Sequence, residues 1–396
     1  MTPGAIEVTP LICRKATMPQ NSAAVLRALR TPFVVEPAHV PTPASDEVVV
    51  RVRAVAVNPV DWVIQGTGSV TYRWLQTPVV LGSDVAGEVV AIGSAVTRFR
   101  VGQRVFGLAT GTDRGRDPQH EGAFQDHTAL LERLTAPTPD DLTDEQAVVL
   151  PLGASTAACA LFQERHLGLR MPGHATVDGA GGTADGDRGV VVVWGGSTSV
   201  GMNAVQLASA AGYDVVTTAS PRNAELVRSL GAEVVVDHHD PHAVDALVAA
   251  IAGRRVLGAV ALGTTSAAAC IQVLRRTGGT VLALASTPVS LDRLAGRRRL
   301  FPAMLPVFSR LGLTMAGLML SARRAGIRTA FIWGSSLRDD AVGPMLWGEV
   351  LPRGLADGTL RAVPEPLVLG TGLAAVQGAL DRQRAGVSAQ KIVVTL

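Results

Sequence analysis

One stretch constrains this chain more than any other: "GVVVVWGGSTSVGMNAVQLA", Gly189 to Ala208. Four valines and a tryptophan read as a buried strand, and the segment after the turn has helical spacing. A strand that ends in a glycine turn and opens a helix aims backbone N–H groups and the positive end of the helix dipole at one point, which suits a phosphate. Gly195 and Gly196 permit a tight turn and close backbone approach, and Gly201 lets the helix lie near the sheet. Gly196, Thr198 and Gly201 take the marked positions of G-x-G-x-x-G, with threonine in place of the middle glycine. Ser197, Thr198 and Ser199 add hydroxyls where phosphate oxygens would lie, and Val200 completes the turn before Gly201. The alternative is an ordinary strand-to-helix turn with no ligand.

The surroundings favour the ligand. From Val190 onward, "VVVVW", "DVVTTA", "EVVVD", "LGAVAL" and "TVLALA" alternate with helix-length segments, the pattern of a parallel sheet covered on both faces. This part is expected to be a doubly wound α/β domain. Residues 24–154 read instead as β-rich, with "EVVVRVRAVAVN" alternating in part. Thr143 and Gln146 have the spacing of a helix capping box. Beyond residue 336 the pattern is helix, short strand "PLVLG", helix and final strand "KIVVTL", a tail expected to fold back on the first domain. The organisation expected is a disordered tail over 1–23, a β-domain over 24–154, a nucleotide-binding domain over 155–339 and a return segment over 340–396. The glycine-rich run His174 to Gly189 is expected to be a surface loop.

The second strand of the α/β part bears on the choice of dinucleotide. An acidic residue about 20 positions past the phosphate turn commonly holds ribose hydroxyls. Here the strand "DVVTTA" runs into Ser220-Pro221-Arg222-Asn223. Without a carboxylate to repel a 2′-phosphate, and with Ser220, Arg222 and Asn223 able to donate to one, NADP(H) is expected over NAD(H). Ser220 and Pro221 would also suit the start of a helix.

Composition removes several other roles. Aromatic residues make up 4% of the chain, too few for a surface that stacks nucleic-acid bases, and the net charge is only +3. Arg297, Arg298 and Arg299 read as a solvated surface, not a nucleic-acid patch. The three cysteines, Cys13, Cys159 and Cys270, are far apart and form no disulfide framework, which points to a reducing, cytoplasmic setting. The most apolar run, Met304 to Leu320, is interrupted by Arg310, so no membrane span is expected.

Taken in order, "NPVDW" (58–62), "LGSDVAGEVVAIG" (81–93), "EGAFQDH" (121–127), "LPLGASTAA" (150–158), "WGGSTSVG" (194–201), "ASPRN" (219–223) and "GVSAQKIVVTL" (386–396) resemble the medium-chain dehydrogenase/reductase superfamily. The nearest likeness is to its zinc-free quinone-oxidoreductase-like members, including the trans-acting enoyl reductases of fungal polyketide assembly. The resemblance implies a GroES-like β-domain joined to a Rossmann domain, with the active site between them. Zinc members carry cysteine in the segment matching Asn58 to Asp61, and Gly-His-Glu where this chain has Gly82-Ser83-Asp84. With those ligands missing, no metal is expected. The cluster His238, His239 and His242 reads as a loop at the cofactor rim, with His238 placed by resemblance beside the adenine.

Without a Lewis acid, the expected chemistry is NADPH-dependent reduction of an activated C=C bond or of a quinone. By resemblance, Thr156 would lie beside the nicotinamide and Asn58 and Asp61 would line the cleft. Lys391, in "AQKIVV", would add a positive charge near the cofactor, the alternative being a lysine simply exposed beside the final strand. Packing or capping alone is the competing reading for Thr156. Tyr72 is a candidate proton donor. Enoyl reductases often have lysine after Asp-Trp, where this chain has Val63. The expected partner is a small-molecule substrate, with no nucleic acid or membrane; a homodimer and a polyketide synthase partner stay open. The rival readings are a trans-acting enoyl reductase serving such a synthase and a non-catalytic NADPH-binding or redox-sensing protein.

Overall fold

The four valines of Val190–Trp194 divide between two cores. Val190, Val192 and Trp194 pack into one cluster, Val191 and Val193 into another on the opposite face. A strand with both faces covered needs no polar alternation, which explains the unbroken apolar run. It lies inside a six-stranded parallel sheet in the spatial order Ala232–Val236, Asp214–Thr218, Val190–Trp194, Val256–Ala261, Val281–Leu284, Arg328–Phe331. Numbered along the chain, that order is 3-2-1-4-5-6, the doubly wound arrangement that places ligands beyond the carboxyl ends of the strands.

The other domain is built on Glu47–Ala56. This strand pairs antiparallel with Asp84–Ile92, with His127–Leu131 and with the carboxy-terminal strand Gln390–Thr395. Glu365–Thr371 lies outside Gln390–Thr395, and Arg104–Leu108 and Thr135–Pro137 extend the opposite side, giving seven strands. Val393 stands opposite Ala56, and Val57 N donates to Ile392 O at 3.0 Å. This register brings Lys391 beside Asn58. Thr143 and Gln146 form the capping box expected from their spacing.

The computed structural model describes residues 20–173, 188–288 and 304–396. Residues 1–19, residues 174–187 of the glycine-rich run, and Arg297, Arg298 and Arg299 lie outside the described residues, as does Cys13. Two boundaries expected from the sequence need correction. The first strand is Asn21–Leu26, so Asn21, Ser22 and Ala23 belong to the fold; the Asn21 amide donates to Gln125 Oε1 at 3.0 Å. The cut between residues 154 and 155 falls inside the helix Pro151–Phe162, most of whose apolar residues are buried in the shared core.

Arg310 interrupts the apolar run but not the helix that carries it. Met304–Arg324 is one continuous helix, because arginine is a good helix former. Its Leu305–Arg324 part and the segment Asp144–Phe162 are both long and apolar enough to cross a membrane by length and composition. The second is a largely buried core segment, whereas the first is almost wholly exposed.

Candidate active site

The turn after Val190–Trp194 is held by the neighbouring strand. Gly195 N donates to Thr218 Oγ1 at 3.0 Å and Gly196 N to Thr218 O at 2.8 Å. Gly195 has φ +96°, a region glycine enters without strain. A Cβ on Gly196 would overlap the Thr217 hydroxyl, and one on Gly201 would overlap the Gly195 carbonyl. Thr198 caps the helix Ser199–Ala210: its hydroxyl accepts from Gly201 N at 3.0 Å and donates to Gly195 O at 2.9 Å. The first intrahelical bond runs from Met202 N to Thr198 O, so the N–H groups of Ser199 and Val200 precede it at the positive end of the helix. These donors and the close-packed glycines fit a dinucleotide pyrophosphate.

The hydroxyls divide differently from expectation. Thr198 spends its hydroxyl on the turn. Ser199 Oγ is buried without a partner, against Gly153 of the helix Pro151–Phe162, because the two helices pack closely there. Ser197 is half-buried and is the one of the three with neither commitment.

Beyond the second strand, Ser220 precedes the short helical turn Pro221–Asn223. Arg222 is exposed, whereas Asn223 is buried and its amide donates to Ser388 Oγ at 3.0 Å. Asn223 therefore ties this turn to the carboxy-terminal segment. His238 follows Ala232–Val236 and stacks on His239 with ring centroids 3.9 Å apart. Asp237, His238 and His239 can bring three ligand atoms within 4.8 Å of one another, on an exposed rim.

At the junction of the two domains, Asn58, Asp61, Asp84 and Lys391 form one buried network. Lys391 Nζ donates to Asn58 Oδ1 at 2.6 Å and lies 2.9 Å from Asp84 Oδ2. Asn58 Nδ2 donates to the same Asp84 oxygen at 2.8 Å. Asp84 Oδ1 accepts from Leu152 N at 2.7 Å, so this carboxylate also sits at the positive end of Pro151–Phe162. Asp61 Oδ2 accepts from Asn58 N at 2.8 Å, while its Oδ1 is buried without a partner. Burial, more than any neighbouring charge, pushes the Asp61 carboxyl up to about 7. Asn58 and Asp61 are only 4% and 0% exposed. Lys391 belongs to this network.

Thr156 is half-buried on Pro151–Phe162, and its hydroxyl donates to Leu152 O at 2.7 Å. Gly334, just past the last parallel strand, approaches so closely that a Cβ there would overlap the Thr156 hydroxyl. Thr156 therefore stands where the carboxyl end of the parallel sheet meets the β-domain.

Sequence reasoning missed two anchoring carboxylates. Asp84 carried no signal beyond its failure to match a zinc motif. Asp113, in the loop after Arg104–Leu108, accepts from Ser335 Oγ at 2.6 Å and Trp333 Nε1 at 3.1 Å, and pairs with Arg338 at 3.1 Å. Tyr72 is buried, and burial together with the Asp113 and Asp61 charges drives its phenol well above the ordinary range.

The residues that by resemblance match the ligands of a catalytic zinc do not fit the ion. Asn58, Asp61, Ser83 and Asp84 offer neither thiolate nor imidazole, and the Asn58 and Asp84 oxygens already face the Lys391 ammonium. The cation inside this network is the protein's own Lys391.

Two family models match this chain: the alcohol dehydrogenase GroES-like domain over residues 44–140 and the zinc-binding dehydrogenase over residues 199–314. The chain is 42% identical to the dehydrogenase pigH of Monascus ruber, over 96% of this chain and 100% of that protein. It is 37% identical to the trans-enoyl reductase himH of Aspergillus japonicus, over 88% and 90% of the two chains. Among solved structures it resembles an alcohol dehydrogenase superfamily protein from Novosphingobium aromaticivorans, with TM-score 0.67 and 26% identity over 95% of this chain and 99% of the other. The β-domain, the 3-2-1-4-5-6 sheet, the glycine turn and these likenesses agree: the chain is an oxidoreductase of the medium-chain dehydrogenase/reductase superfamily, with enoyl-reductase-like relatives.

Proposed function

We propose that this protein is an NADPH-dependent reductase that works without zinc and reduces an activated C=C bond, as in an enone or enoyl group, or a quinone. What supports the reading is the Lys391 ammonium, held by Asn58 and Asp84, residues of the two segments that by resemblance match the ligand positions of zinc members. The bound nicotinamide would supply the hydride.

The protein's share is binding and orientation. Ser199–Ala210 presents its positive end to the pyrophosphate, and Arg222, with Ser220, is free to meet a 2′-phosphate. Thr156 stands at the domain junction, where the nicotinamide end would lie. Conjugate reduction suits such a site because the acceptor spreads the developing charge onto its own carbonyl, so hydrogen-bond donors suffice. Oxidising an alcohol requires stabilising an alkoxide, a heavier demand without a metal.

The test is a screen of NADPH oxidation by the purified protein with enones, enoyl thioesters, quinones and simple alcohols in the reverse direction. Turnover of a conjugated acceptor supports the reading; efficient alcohol oxidation with no conjugated acceptor reduced overturns it. The likeness to the trans-enoyl reductase himH favours a second reading, in which the acceptor is an enoyl chain carried on a synthase. Turnover of enoyl thioesters to the exclusion of free enones would select it.

A further inference from the structure

In a chain with so few aromatic residues, three meet at the domain junction. Tyr72 and Trp74, just past the helix Pro59–Thr71, and Trp333, just past the strand Arg328–Phe331, make all three mutual contacts. Their ring centroids are 5.2, 5.3 and 6.0 Å apart, at tilts of 52°, 41° and 59°. Both indole N–H groups are held by adjacent residues of one loop: Trp74 Nε1 donates to Thr112 O at 3.0 Å and Trp333 Nε1 to Asp113 Oδ1 at 3.1 Å. The rings are therefore oriented before any ligand arrives. Trp74 is still 37% exposed, so its surface is not spent on the cluster.

Position links this cluster to the proposed site. Trp333 immediately precedes Gly334, whose backbone lies on Thr156 and the Leu152 side chain. Leu152 in turn donates its N–H to Asp84. The cluster also lies past the carboxyl end of a parallel strand, the side on which this architecture binds its ligands. A preset π-surface there favours acceptors that are flat and extended.

We infer that Tyr72, Trp74 and Trp333 form a stacking wall that selects extended planar conjugated acceptors, such as aryl enones, over small aliphatic enones. This deepens the reductase reading and rests on it. Two probes test it: trans-chalcone as the extended acceptor and 2-cyclohexenone as the small one. Trp74→Leu and Trp333→Leu remove stacking surface, and Trp333→Phe keeps a ring. The expected result is a fall of about tenfold in the chalcone-to-cyclohexenone ratio of kcat/KM for each leucine variant, carried by KM, with a smaller fall for Trp333→Phe. An unchanged ratio, including equal losses on both probes, would overturn the wall and leave a clamp between domains. Saturable quenching of tryptophan fluorescence by chalcone, in the NADP-loaded protein, reads binding without turnover. If the wild type reduces neither probe, saturable quenching that Trp74→Leu abolishes still supports the wall, and its absence overturns it.

Discussion

Lys391 Nζ stands 2.9 Å from Asp84 Oδ2, and both side chains are almost fully buried. One residue comes from the last strand of the chain and the other from the start of Asp84–Ile92, and Glu47–Ala56 lies between them in the sheet. The pair joins three parts of the molecule, because Asp84 also holds the first turn of Pro151–Phe162.

Removing the cation would strand a buried carboxylate. Lys391→Met is expected to cost about 3–5 kcal/mol of unfolding free energy, read from urea denaturation. Adding Asp84→Leu to Lys391→Met should recover part of that loss, since the unpaired charge is then gone. A double variant weaker than the single by the full cost of Asp84→Leu would show that the two residues act independently.

Asp61 gives stability a pH dependence of defined sign. Its carboxyl ordinarily titrates near 3.8 and in the fold near 7. Between those values the folded protein keeps a proton that the unfolded chain has released. Its contribution is complete below about 3.8 and is lost as pH rises through about 7. The urea midpoint of the wild type should fall between pH 5 and pH 8 relative to that of Asp61→Asn. Parallel pH profiles for the two proteins would rule this out.

Arg222→Ala should weaken NADPH binding by about 1–3 kcal/mol while leaving NADH nearly untouched, if a charge-assisted bond to the 2′-phosphate is lost. Titration of each cofactor by isothermal calorimetry separates the cases. Equal losses for both would place Arg222 outside the phosphate site.

Elemental analysis of active protein should find far less than one zinc per chain, and chelation should leave turnover intact. The Lys391 ammonium would repel a divalent cation brought to Asn58 and Asp84. Stoichiometric zinc with activity lost on chelation would contradict the proposed mechanism.

Local chemistry in the sequence was enough to indicate the architecture. The valine run of Val190–Trp194 required a strand covered on both faces, and Gly195, Gly196 and Gly201 marked a turn where side chains would collide. Thr143 and Gln146 specified a capping box within four residues. Such features depend on neighbours a few positions away, so a linear reading reaches them. Which hydroxyl stays free did not follow from the motif: Thr198 closes the turn and Ser199 faces Gly153, a contact made only when two helices pack. Lys391 carried no local sign of its partner. It meets Asn58 across 333 positions because Gln390–Thr395 pairs with Glu47–Ala56. The aromatic cluster likewise joins Tyr72 and Trp74 to Trp333 only after the two domains come together. Period and turn chemistry are local and wrote the fold into the sequence; burial and charge pairing at the site depend on strand register and domain contact, which the tertiary structure alone decides.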